Sequence, residues 1–123
     1  MGEELIFRLV TAVVMGGSGV LILRMARAAA TGKLGRNQVA GIRTPSTLVS
    51  DEAWTVAHQR AEGPTRWAGW CAIAGGASAL LPFSLPVMVL CGLVLASCLG
   101  MLAFVLYGAS VGGKAARALT DGT

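Results

Sequence analysis

From Trp67 to Gly113 the chain carries no Asp, Glu, Lys or Arg. A stretch of that length rises far enough, at ~1.5 Å per residue, to cross ~30 Å of hydrocarbon twice. A second charge-free run lies between Arg8 and Arg24, with Leu5, Ile6 and Phe7 extending its apolar character on the near side. Backbone polar groups in lipid must be satisfied within their own segment, so such runs fold as helices. The reading that follows is an all-α membrane protein.

Composition agrees. Apolar residues make up 54% of the 123 residues and charged residues 13%, against about a quarter charged in soluble domains. The length suits one domain over residues 1–123. The net charge of +4 is no sign of nucleic-acid binding, because the basic residues flank apolar spans instead of clustering on a hydrophilic face with stacking aromatics. Cys71, Cys91 and Cys98 are odd in number and lie inside apolar segments, where thiols act as small packers. His58, the single histidine, lies outside them. No metal site or cofactor is expected.

Three spans are expected. The first covers about residues 4–25; the long run breaks at Pro82-Phe83-Ser84-Leu85-Pro86, because proline lacks the helix donor, giving spans of about 66–81 and 85–111. Trp67 and Trp70 open the second span, as aromatic rings do at a headgroup boundary. Arg8 is expected to snorkel to the headgroups. A cleaved signal peptide ending near Ala28-Ala29-Ala30 is the rival for the first span. Signal peptides carry positive charge before their apolar stretch, whereas here Glu3 and Glu4 precede it and Arg24, Arg27, Lys33 and Arg36 follow. With Arg43, Arg60 and Arg66 in the same 26–65 segment and Lys114 and Arg117 after the third span, the positive-inside rule puts the middle segment and the C-terminus in the cytoplasm and the N-terminus outside.

Gly92, Ala96 and Gly100 recur every four residues in the third span, and Gly108 and Gly112 continue the series. Small residues at that spacing let helices approach closely in lipid. The face packs either against the other two helices or against a second copy or another membrane protein.

The polar insert has local instructions of its own. Gly32, Gly35 and Gly41 allow tight turns, and Pro45 drives Thr44 towards extended geometry. Ser50 is a good N-cap, and Asp51 and Glu52 put negative charge in the first turn of a helix. That helix is expected to be short, from Asp51 to about Glu62, ending at Gly63-Pro64. Its Ala53, Ala57, Ala61 and Trp54 share one side, which suits a helix lying in the membrane interface with the Trp54 ring at headgroup level. Glu62, one turn beyond His58, should favour the protonated imidazole. No activated nucleophile accompanies that histidine.

The run Asn37-Gln38-Val39-Ala40-Gly41-Ile42-Arg43-Thr44-Pro45, then Thr47-Leu48, Ser50-Asp51-Glu52-Ala53-Trp54 and His58, resembles the signature of the SdpI family of small bacterial membrane proteins. Ser46 stands where that family often has tryptophan, and Gln59 where an arginine frequently follows the histidine. The resemblance implies a non-enzymatic, multi-span protein of the cell membrane, with immunity to a toxic peptide or membrane signalling as its role. It singles out Asn37, Gly41, Arg43, Thr44, Pro45, Ser50, Glu52, Trp54 and His58 as a binding or structural motif.

Two roles follow as expectations. One is a binding or protection module for a membrane-active peptide, a partner membrane protein or a lipid. The other is an accessory subunit of a larger assembly, using the Gly92–Gly100 face, with a homo-oligomer as one form of it. Ion-coupled transport is disfavoured, since no acidic residue lies between the ends of any span. A lipid-directed enzyme would have to use His58 with Asp51 or Glu62.

Overall fold

A computed structural model describes residues 2–37, 40–81 and 86–121, without the side chains of 120 and 121. It contains three long helices, α1 (Gly2–Ala30), α3 (Asp51–Ser78) and α4 (Val87–Asp121), and one short helix, α2 (Pro45–Leu48). Helix α3 is central, with α1 and α4 packed on either side of it. The break expected at Pro82–Pro86 falls largely outside the described residues; α4 starts at Val87, immediately after Pro86.

Glycine governs how closely the helices approach. A Cβ on Gly19 would lie 2.5 Å from the Gly69 carbonyl oxygen, and one on Gly76 would lie 2.8 Å from the Gly16 nitrogen. On the other flank, a Cβ on Gly75 would meet Ser97 at 2.7 Å, and one on Gly112 would meet the Ala57 oxygen at 2.6 Å. Residue numbers rise along one helix as they fall along its neighbour, so α3 runs antiparallel to both. Backbone-to-backbone contact of this kind is how helices associate where lipid removes the hydrophobic drive between them.

Two helices, Gly2–Ala30 and the Val87–Leu119 part of α4, are long and apolar enough to cross a membrane, with mean hydropathy 2.0 and 2.6 over their most apolar windows. The core helix of a soluble protein would bury such a window. Here only 17% and 6% of the two windows is buried, and side chains such as Val13, Leu21 and Met88 point outward. Helix α3 does not reach the same standard, because Asp51, Glu52, Arg60, Glu62 and Arg66 lie between its start and Trp67.

Three local expectations are corrected. No short helix stops at Gly63-Pro64: α3 runs unbroken from Asp51 to Ser78 with Pro64 inside it. Proline inside a helix costs about 3 kcal/mol, and here tertiary packing offsets it. Ala53 and Ala57 bury against Ala116 near the end of α4, and Pro64 faces Gly108. The alanine stripe therefore packs α3 against α4. For the same reason α4 continues past residue 111, through Lys114 and Arg117. Arg8, finally, does not snorkel. It is 2% exposed and donates to Glu4 Oε1 from Nε at 3.2 Å and from an Nη at 3.0 Å, a pairing across one helical turn.

The small-residue series of α4 splits between two surfaces. Gly100 faces Cys71, Gly108 faces Thr65 and Pro64, and Gly112 faces Ala57, whereas nothing stands within 4 Å of a Cβ on Gly92, and Ala96 is exposed. A spacing of four residues overshoots a full turn by ~40°, so the series winds around the helix. Its later members pack internally and its earlier ones stay open.

Candidate functional site

The motif folds into a cap over the start of α3, at the end of the bundle shared with the C-terminal part of α4. Each step of the cap is built from a local hydrogen bond. Asn37 closes a turn on itself, its amide donating to the Gly35 carbonyl and its Oδ1 accepting from the Ala40 N–H, both at 2.8 Å. Thr44, in extended geometry before Pro45, is the N-cap of α2. The Thr47 N–H donates to Thr44 Oγ1 at 3.3 Å, and the Thr44 N–H donates to Thr47 Oγ1 at 3.0 Å. This is a reciprocal capping box in which threonine takes the place of the usual Glu or Gln. The Thr47 hydroxyl, fully buried, spends its own proton on the Ile42 carbonyl at 2.7 Å.

Ser50 is the N-cap of α3 as expected, its Oγ accepting from the Ala53 N–H at 3.0 Å. Asp51 does more than complement the helix dipole: it accepts from Arg36 Nε at 2.8 Å, while Arg36 also donates to the Leu48 carbonyl at 3.0 Å. Arg36 thereby ties the loop to the end of α2 and the start of α3.

Trp54 is buried, 1% exposed. Its indole N–H donates to the Leu34 carbonyl at 2.9 Å. The ring expected to lie open to the headgroups is instead covered by protein: Leu34 and Gly41 of the loop lie against the indole and shield it. The imidazole of His58 lies against that ring, centroids 4.2 Å apart. Both ring nitrogens of His58 are engaged. Nε2 accepts the Ile42 N–H at 2.8 Å, and Nδ1 lies 2.8 Å from the Trp54 carbonyl oxygen. An acceptor Nε2 and a donor Nδ1 define the neutral tautomer. Burial holds the His58 pKa below its ordinary value, partly countered by the Trp54 carbonyl. The protonated imidazole expected from Glu62 is thus corrected, since desolvation of the cation sets the direction of the shift.

Gly41 explains why this residue is glycine. Its φ is +98°, and a Cβ there would lie 2.7 Å from Trp54 Cη2 and 2.8 Å from His58 Nε2. The backbone passes over the Trp54–His58 pair too closely for any side chain. Arg43, Pro45 and Glu52 stand exposed on the outer surface of the cap.

Hydrogen bonds and close contacts therefore link Gly41, Thr44, Ser50, Trp54 and His58 in one network, with the Asn37 turn beside it and the side chains of Arg43 and Glu52 exposed. Gly92, Ala96 and Gly100 lie on α4, outside it. Leu34, Arg36, Ile42 and Thr47 belong to the network without having been singled out as site residues. Thr44-x-x-Thr47 ahead of a helix was the signal for one of them; the carbonyl acceptors Leu34 and Ile42 leave none, because a backbone group has no sequence signature.

Beneath the cap lies a recess of about 100 Å³, walled by α1 around Ile22 and Met25, by Gly41 and Ile42 of the cap, by His58, Glu62 and Thr65 of α3, and by Val105 of α4. Its lining is almost wholly apolar. Among the described residues no three of His, Cys, Asp and Glu stand together as a metal site would require. The hydroxyls of Thr44, Thr47 and Ser50 are committed to bonds within the cap, and the two histidine nitrogens lie against the Ile42 N–H and the Trp54 carbonyl.

No curated protein and no solved structure matches the chain. The profile of one family does, over residues 33–108, a stretch that includes the entire cap, all of α3 and most of the apolar part of α4. With that match over more than half of the sequence, the chain belongs to the SdpI/YfhL protein family, a membrane protein in which the Asn37–His58 motif builds the cap.

Proposed function

We propose that this protein is a non-enzymatic, three-span binding module whose cap frames a receiving site for an apolar side chain of a membrane-active peptide or a partner membrane protein. The observation that carries this reading is the recess under Gly41 and His58. Its walls come from all three long helices and the motif, and its volume corresponds to about three waters at ~30 Å³ each, the scale of one aliphatic side chain. Protection against a toxic peptide is the role that family resemblance favours.

Three crossings are supported by the antiparallel seat of α3 between two apolar helices, with its own charge-free part beginning at Trp67. The distribution of Arg and Lys supports a cap and C-terminus in the cytoplasm and an N-terminus outside. The absence of catalysis is supported by the chemistry of the cap: a neutral His58 bonded at both nitrogens to backbone lacks a free site to act as base.

The accessory-subunit reading has its own support in the open surface of α4, where Gly92 and Ala96 lie among exposed Met88, Leu95 and Leu99. One experiment separates the two. The protein is affinity-purified in mild detergent as wild type, Ile22→Phe and Gly92→Leu, and cells carrying each are challenged with membrane-active peptides. Loss of capture and protection with Ile22→Phe alone supports the recess. Loss with Gly92→Leu alone supports the α4 surface and overturns the recess.

A further inference from the structure

The opposite side of the α1–α3 seam carries a groove that the cap does not use. Arg24 and Arg27 of α1 and Arg66 of α3 converge there with Trp70, around a space of about 240 Å³. The groove continues through Arg66 and Trp70 into a second hollow of about 280 Å³ that adds Trp67 and Gly63. The three arginines are far apart in sequence, and the close Gly19–Gly69 approach brings them to one level. All three side chains are exposed, and among the described residues none makes a hydrogen bond or an ion pair. Glu62 also lines the groove but pairs with none of them, so the groove keeps a net charge of +2.

Two observations select its occupant. Arg24 closes the charge-free run of α1 and Arg66 immediately precedes that of α3, so the cations lie where apolar helix gives way to polar segment. Trp67 and Trp70 are 62% and 51% exposed on the apolar side of those cations. Guanidinium groups bind phosphate oxygens as a fork, and tryptophan rings favour the boundary between headgroup and acyl chain. Free phosphate would use the first feature and leave the second idle.

We infer that this groove is a binding site for an anionic glycerophospholipid, its phosphate held by Arg24, Arg27 and Arg66 and its glycerol and upper acyl chain lying on Trp67 and Trp70. A headgroup bearing two phosphodiesters, of the cardiolipin type, matches the net charge of the groove. The groove shares only Glu62 with the recess beneath the cap, and the proposal stands if the reading of that recess fails.

The test uses the full chain in an uncharged detergent, titrated with cardiolipin, with phosphatidylcholine and with inorganic phosphate. Tryptophan fluorescence is the readout. Trp54 is buried elsewhere, so Trp67 and Trp70 supply the change. Saturable binding of cardiolipin is expected, with phosphatidylcholine at least tenfold weaker. Each of Arg24→Gln, Arg27→Gln and Arg66→Gln should weaken cardiolipin about fivefold, the equivalent of ~1 kcal/mol per basic residue at a membrane surface. Arg117→Gln removes the same charge from outside the groove and should leave affinity within twofold. Equal affinity for phosphatidylcholine overturns the proposal. So does an equal loss with Arg117→Gln, which would mean diffuse attraction. Displacement of cardiolipin by equimolar inorganic phosphate would make the site a phosphate site and overturn the lipid assignment. The three arginines are exposed and unbonded to the fold, and the comparison of headgroups needs no variant at all.

Discussion

Replacing Gly41 with alanine tests the cap at its tightest point. The substitution has two costs. Alanine at φ +98° carries a backbone penalty of about 1–2 kcal/mol. Its Cβ must also displace the Trp54 ring and His58 Nε2, which would stand 2.7 and 2.8 Å away, and overpacking of that kind costs about 1–3 kcal/mol. The sum is about 3 kcal/mol. Two other glycines separate the contributions. Gly32 has φ +85° but nothing within 4 Å of a Cβ, so Gly32→Ala should lose only the backbone part, about 1 kcal/mol. Gly35 has neither a positive φ nor a close neighbour, and Gly35→Ala should be close to neutral. Unfolding free energies from SDS titration in mixed micelles, followed by circular dichroism, give the ranking. If Gly41→Ala is no more destabilising than Gly32→Ala, the backbone does not cross the Trp54–His58 pair as described and the account of the cap fails.

His58 gives the protein a pH dependence of known sign. Its folded pKa lies below the ordinary value of about 6.5, so the unfolded chain binds the proton more readily. The stability it contributes is complete above about pH 6.5 and is lost as pH falls through the lowered folded pKa. Unfolding titrations from pH 7.5 downward should show that loss in wild type and a flatter profile in His58→Gln. Thr47→Val removes the capping box and the buried bond to the Ile42 carbonyl, for an expected loss of about 2 kcal/mol. Ser50→Ala should lose about 1 kcal/mol as a single N-cap. Gly112→Ala and Gly19→Ala press on neighbouring backbone and should each destabilise the helix packing by about 1–3 kcal/mol, whereas Gly92→Ala should be neutral or slightly stabilising; thermal denaturation in detergent compares the three. Equal effects at Gly19 and Gly92 would refute the description of the α1–α3 seam.

Sequence alone determined the class. Charge-free runs bounded by arginine and lysine compel helices in an apolar setting, because unpaired backbone groups cost too much there. It also located the capping residue Ser50, the extended Thr44 before Pro45 and the turn glycine Gly41, whose chemistry is local and therefore visible at short spacing. Tertiary structure decided what those residues serve. The Ala53–Ala57–Ala61 stripe and Trp54 read equally well as a face for lipid or a face for protein, since amphipathicity records burial and not the identity of the neighbour. Contact with α4 and the folded-back loop gave the protein answer, carried α3 through Pro64 and made His58 neutral. The same holds for Arg24, Arg27 and Arg66: sequence marked them as membrane-flanking charges, and only the close antiparallel approach of two helices at Gly19 and Gly69 gathered them into one groove.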